Sequence, residues 1–187
     1  ASRSPRRRDL LRSAGIDHRT VRSDYIETSE GAIRPSALVR RHALGKALGA
    51  LRHVKGEGVI LAADTIVYHD GRILGKPGSM RAAVRMLSSL QGRWHTVYTG
   101  VCFLSFRDGR EVPRKRRVWV QTTRVYIRPM SPAQIRLYFR RIDPLDKAGS
   151  YAIQSRAFRI VARHRGCHAN AVGLPLRAVR LLGRIQN

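Results

Sequence analysis

The sequence predicts an α/β protein, on three observations. Segments that carry helix-start signals alternate with short apolar runs of strand length along all 187 residues. Hydrophobic residues make up 43% and charged residues 26%, the proportions of a globular chain that buries a core. No apolar run approaches the roughly 20 residues that a membrane-spanning helix needs, so a soluble chain with no membrane partner is expected. One large domain, or two small lobes sharing a cleft, can fold at this length without disulfides or structural metal.

Ser4 at the N-cap and Pro5 at the first helical position start a helix with Leu10 and Leu11 on its buried side, and Gly15 ends it. A short extended piece is expected over residues 20–26, then a polar loop with Glu27 and Glu30. Pro35 opens a second helix that runs to about residue 52. Its Leu38, Ala43, Ala47 and Leu51 face the core, which leaves Arg40, Arg41 and Lys46 for other faces. Residues 59–63 form a continuous apolar run suited to a strand buried on both sides. Asp64 and Thr65 continue it, and a hairpin leads through Asp70-Gly71 to Gly75-Lys76-Pro77. Residues 80–90 read as a helix closed by Gly92, and 95–106 and 117–127 as strands joined near Asp108-Gly109. Ser131-Pro132 repeats the cap-then-proline signal for a helix over 133–140. Residues 146–154 read as loop running into strand, 158–162 as a strand, Arg165-Gly166 as a turn, and 176–182 as the last helix. The charged run from Pro113 to Arg117 is the nearest feature to a linker.

Charge sets this chain apart. Lys plus Arg number 37 against 12 acids, a net of +25, and only positions 46, 55, 76, 115 and 147 are lysine, leaving 32 arginines. Such an excess costs self-repulsion, for which a polyanion is the usual compensation, and arginine's planar fork suits phosphate. A codon bias toward arginine would explain arginine in place of lysine, but not the shortage of acids. Cys102 and Cys167 have no CxxC or histidine spacing, so two buried thiols in a reducing compartment are expected, with no zinc site.

Three arginines, Arg6, Arg7 and Arg8, crowd the first turn of the first helix, where cations oppose the helix dipole unless an anion sits there. Asp64 ends a buried apolar run, where an unpaired carboxylate is expensive. It reads either as a satisfied structural aspartate or as a carboxylate that binds metal or activates water. Lys76 returns by the hairpin toward it, and Glu27 with the lysines supplies the remaining parts for metal-assisted attack on a phosphoanhydride. The seven histidines show no HxH or HxxxH spacing, and surface or core roles are favoured for each. Walker A, G-x-S-x-G and G-x-G-x-x-G patterns are absent.

Taken in order, several stretches resemble the Maf family of nucleotide pyrophosphatases. They are Ala1-Ser-x-Ser-Pro-Arg-Arg, Ile26-Glu27-Thr, Lys46-Ala47, Ala63-Asp-Thr-x-Val67, Gly75-Lys-Pro77, and Gly92-x-x-His95 with Thr99-Gly100. Asp146-Lys-Ala-Gly-x-Tyr-x-Ile-Gln154 and Val172-Gly-Leu-Pro-Leu176 complete the set. The resemblance implies one Maf-like domain over 1–187, folded as two lobes of a mixed sheet with flanking helices around a central cleft. It implies hydrolysis of a nucleoside triphosphate to the monophosphate and pyrophosphate with Mg²⁺ or Mn²⁺. Ser4, Arg7 and Arg8 would then hold phosphates and Glu27 and Asp64 the metal and the water. Lys46 and Lys76 would neutralise the triphosphate, Thr65 would line the substrate site, and Gln154 would help read the base. The Asp64-Thr65 and Tyr-x-Ile-Gln forms resemble the subgroup acting on thymidine and uridine triphosphates.

The family's first strand precedes the Ala-Ser-x-Ser-Pro segment, so either a strand is expected ahead of Ala1 or the sheet is expected to lack an edge. Ile26, Ala82 and Asp143 stand where the family often has an acid, an acid and a Glu. The resemblance implies a cytoplasmic location and leaves a homodimer open. The net charge motivates a different class of function: a Maf-like domain recruited as an RNA-binding part of a ribonucleoprotein, in a mitochondrion or other organelle. With aromatics at only 6%, backbone contact is expected there over base stacking.

Overall fold

The structure is a computed structural model that describes residues 4–28, 33–154 and 159–186. The expectations for Ala1 to Arg3, Glu30 and Phe158 fall outside those residues. The elements are α1 (Pro5–Ser13), α2 (Pro35–Leu48), β1 (Glu57–His69), β2 (Arg72–Leu74), α3 (Met80–Leu90), β3 (Trp94–Arg107), β4 (Arg110–Ile127), α4 (Pro132–Phe139), β5 (Val161–Gly166), α5 (His168–Val172) and α6 (Leu176–Gln186). The strands form one sheet in the order β2-β1-β3-β4-β5, with β1–β2 and β4–β5 antiparallel.

Two compact units share the chain: residues 1–64, 99–121 and 173–187 make the first, and 65–98 with 122–172 the second. In the first unit, strand periodicity works on both faces of the sheet. Ala63, Val101 and Phe103 pack with Leu11 of α1 and Leu174, Ala178, Val179 and Leu182 near or on α6. Their alternates Ile60, Ala62, Cys102 and Leu104 pack with Ala43 and Ala47 of α2. The apolar run at 59–63 is therefore covered on both sides, as its composition requires. In the second unit Val67, Val97, Val125 and Ile127 pack under Ala83, Leu87 and Leu90 of α3 and Ile135, Tyr138 and Phe139 of α4.

Ser4 takes the N-cap position of α1 without a side-chain cap hydrogen bond, and the Ser131-Pro132 signal holds. Ser79 accepts from the Ala82 N–H at 3.2 Å, and Ser131 with Gln134 forms a reciprocal capping box at the start of α4. Several expectations change. Residues 20–26 form no strand, although the Asp24 N–H bonds the Gly49 carbonyl at 3.2 Å. Helix α2 stops at Leu48, four residues short, and a 3₁₀ turn over Leu51–His53 takes up the rest. The basic run around residues 113–117 lies inside β4, where cross-strand bonding overrides its loop-like composition. No strand forms over 151–154, β5 covers the expected turn at Arg165-Gly166, and the unforeseen α5 precedes α6. Cys102 is buried, and burial pushes its thiol up to about 11, whereas Cys167 is only half-buried. No helix among the described residues is long and apolar enough to cross a membrane.

His95 gives the second unit a pH dependence. It is 3% exposed, its Nε2 meets the Tyr151 hydroxyl at 2.7 Å, and burial, reinforced by His69, pushes it down to about 3. In the unfolded chain the same imidazole takes a proton near pH 6.5. The stabilising difference is therefore complete above about pH 6.5 and is lost as pH falls toward 3, by about 1.4 kcal/mol per pH unit. His42 and His168 are lowered by burial too and add to the slope. Urea unfolding at about pH 7 and about pH 5 is expected to show this loss, reduced in His95→Gln. Equal slopes in the two proteins would remove His95 as its source.

Candidate active site

The first unit gathers four of the residues singled out from the sequence: Arg7, Glu27, Lys46 and Asp64. Strand parity aims Asp64 at the helix that carries its partner. It shares a strand face with Ile60 and Ala62, the face covered by α2, and Lys46 projects from α2 toward it. The Lys46 ammonium donates to Asp64 Oδ1 at 2.7 Å and lies 2.8 Å from Glu27 Oε1. The Asp64 side chain is 9% exposed and that of Glu27 55%, so the lysine joins a sheltered carboxylate to an open one. This answers the desolvation cost of Asp64.

Arg7 approaches from the first turn of α1. Its Nε donates to the Gly173 carbonyl at 2.7 Å. Burial pushes its guanidinium down to about 10, Asp64 and Glu27 pull it back, and Arg6 opposes them. It stays charged at neutral pH. Ser4 is half-buried at the N-cap of α1, and Arg8 is exposed one residue beyond Arg7.

His42 is the residue that sequence reasoning missed. One ring nitrogen and one oxygen each from Glu27 and Asp64 lie within 4.8 Å of one another, close enough to share an ion. The imidazole is 4% exposed, its Nδ1 meets the Tyr25 hydroxyl at 2.9 Å, and burial lowers its pKa, which favours the neutral, ligating form. The available signal was its place four residues before Lys46 on one helix face, a spacing that a search for histidine pairs does not test.

Thr65, Lys76 and Gln154 belong to the second unit. Thr65 is half-buried in β1, Lys76 is exposed just past β2, and Gln154 is exposed after the 3₁₀ turn Ala148–Ser150. The antiparallel β1–β2 pairing confirms the hairpin that leads to Lys76, and the Gly149 N–H bonds the Gly75 carbonyl at 3.1 Å. Lys147 pairs with Asp146 and also donates to the Asp143 carbonyl at 2.7 Å.

The family described as Maf-like protein matches residues 1–184. The chain belongs to the Maf family. Among Maf relatives, the dTTP/UTP pyrophosphatase of Gloeobacter violaceus is 46% identical over 94% of this chain and 88% of its own length. Those of Moorella thermoacetica and Pelotomaculum thermopropionicum, with the same description, are 43% and 39% identical over 94% of this chain and 88% and 89% of theirs. The mixed helix-and-sheet architecture is consistent with this Maf membership.

Proposed function

We propose that this chain hydrolyses nucleoside triphosphates to the monophosphate and pyrophosphate, with thymidine and uridine triphosphates as its substrates. The observation that carries the reading is the Glu27–Lys46–Asp64 bridge with Arg7 beside it, and the descriptions of the relatives support the substrate class. Two carboxylates, a lysine and an arginine match the needs of a substrate that brings several negative charges and must be attacked by water.

Glu27, Asp64 and His42 would hold a divalent cation, Mg²⁺ or Mn²⁺. Two carboxylates suit either ion, and an imidazole nitrogen favours Mn²⁺. Such a cation, when bound, offsets phosphate charge and makes water more acidic. Lys46 competes for the same carboxylate oxygens, so substrate phosphate would draw its ammonium off them. Water oxygen forms a bond to the α-phosphorus, and the bond from that phosphorus to the bridging oxygen breaks. The bridging oxygen leaves with pyrophosphate, and Glu27, the more open carboxylate, takes the proton from water. Arg7 and Lys46 stabilise the charge gathering on the phosphate oxygens. Ser4 and Arg8 at the head of α1, together with Thr65, Lys76 and Gln154, keep the substrate-binding roles that the resemblance gives them.

A second reading is favoured by the net charge of +25, which exceeds what steering one triphosphate requires: the chain also binds polynucleotide. In that case it serves in a ribonucleoprotein or an organelle such as the mitochondrion, and otherwise in the cytoplasmic nucleotide pool. The test of the first reading is pyrophosphate release from a panel of ribo- and deoxynucleoside triphosphates with Mg²⁺, Mn²⁺ or EDTA. Turnover of thymidine and uridine triphosphates that EDTA abolishes is the expected result. A folded protein inactive on the whole panel with both ions would overturn it.

A further inference from the structure

The second unit contains a face that the chemistry above does not use. Along β3 every residue from Thr99 to Leu104 is buried, whereas from Trp94 to Tyr98 burial alternates. His95 and Val97 point into the core, and Trp94, Thr96 and Tyr98 are half-buried on the other side. The end of β4 follows suit, with Thr123, Val125 and Ile127 buried and Arg124 and Tyr126 outside. This part of the sheet has one covered face and one open face.

The open face is aromatic and basic. Trp94 and Tyr126 stand 5.6 Å apart between ring centroids, and Tyr68 and Tyr98 6.1 Å. The Arg124 and Arg165 guanidiniums lie 5.1 and 5.4 Å from the Trp94 ring centre, and that of Arg163 lies 5.5 Å from the Tyr126 ring centre. The β4–β5 register sets Arg124 directly opposite Arg165, an arrangement of like charges that destabilises a sheet. Among the described residues none of the three arginines has a carboxylate partner. The second unit as a whole holds fifteen Lys and Arg against three Asp.

Protection of an open sheet edge accounts for charges on β5, which is an edge strand. It does not account for Arg124 on the interior strand β4, nor for the rings beneath the guanidiniums. A second copy of the chain is a poor occupant, because it would bring the same charge. We propose that this face binds single-stranded polynucleotide, with Arg124, Arg163 and Arg165 on its phosphates and the layer of Trp94 and Tyr126 stacking its bases. The proposal rests on the second reading above and gives it a location. It adds base stacking to the backbone contact expected from the composition, since four of the chain's twelve aromatics, Tyr68, Trp94, Tyr98 and Tyr126, lie on this part of the sheet.

The test is fluorescence anisotropy of labelled oligouridine and oligothymidine of roughly 15 nucleotides, titrated with the full chain at about 50 and about 200 mM salt. The triple variant Arg124→Gln/Arg163→Gln/Arg165→Gln is compared with Arg81→Gln/Arg85→Gln/Arg136→Gln, which removes equal charge from exposed positions on α3 and α4. The first triple is expected to weaken binding at least about tenfold and to lower the salt slope by about 2, the second to do clearly less. Trp94→Ala is expected to cost about tenfold with the slope unchanged. Equal losses in the two triples would overturn the platform while leaving polynucleotide binding intact. No binding by the unaltered chain would overturn both. A dimer in sedimentation that the first triple dissociates would assign the face to self-association instead. Unchanged pyrophosphate release in all variants shows that they fold.

Discussion

Asp64→Asn is expected to lower pyrophosphate release by about 10²–10⁴-fold while leaving the protein folded. The two parts of this result have separate causes. Asparagine has nearly the shape of aspartate and offers a carbonyl oxygen to Lys46, which keeps its 2.8 Å partner Glu27, so the ammonium is not stranded. The stability lost is that of one charge-assisted hydrogen bond, about 1.5–3 kcal/mol. Chemistry loses more. The amide carries no charge to hold a divalent cation, so the remaining donors Glu27 and His42 bind the ion poorly. Kinetics of pyrophosphate release measured beside a thermal melt separate the outcomes. Full activity in a folded variant would remove Asp64 from the reaction and leave it a structural partner of Lys46, the other reading its sequence allowed. Inactivity with an unfolded melt would place its importance in stability.

The site was partly legible in the sequence because local signals coincide with its construction. A carboxylate closing an apolar run has to be paired, and Asp64 is. A proline-started helix that leaves Lys46 off the apolar positions Leu38, Ala43, Ala47 and Leu51 was readable from periodicity. What could not be read is whatever depends on how distant segments pack. The pairing of His42 with Tyr25 and the two carboxylates joins a loop, a helix and a strand, and no spacing along the chain encodes it. Residues 113–117 look like a solvated charge run, yet they are strand because β3 lies beside them, a tertiary term that outweighs local composition. The open aromatic face was hidden for the same reason. Tyr68 meets Tyr98 and Trp94 meets Tyr126 across neighbouring strands, pairs that form only when β1, β3 and β4 align, so an overall count of aromatics understates their local density.

Gly100→Ala is expected to destabilise the protein by at least about 3 kcal/mol and to lower activity about 10²-fold in what remains folded. Gly100 lies on the strand face of Cys102 and Leu104, beneath α2. A Cβ there would stand 2.1 Å from the Val39 carbonyl oxygen, 2.4 Å from its carbon and 2.9 Å from the Arg40 nitrogen. All three are backbone atoms, so no rotamer change relieves the clash, and α2 has to move off the sheet by about 1 Å. A loss of this size is a large share of the roughly 5–15 kcal/mol that holds a domain together. The backbone conformation of Gly100 does not itself demand glycine, since its φ is not positive. Its value is the close approach it permits. That approach sets the distance across which Lys46 reaches Asp64 and brings His42 within ligand range, so the substitution strains the site through the helix that carries both. Denaturant midpoints measured with kcat provide the check. A variant within about 1 kcal/mol of the parent and fully active would show that α2 is free to shift, and that the Lys46–Asp64 contact does not depend on helix and strand being this close.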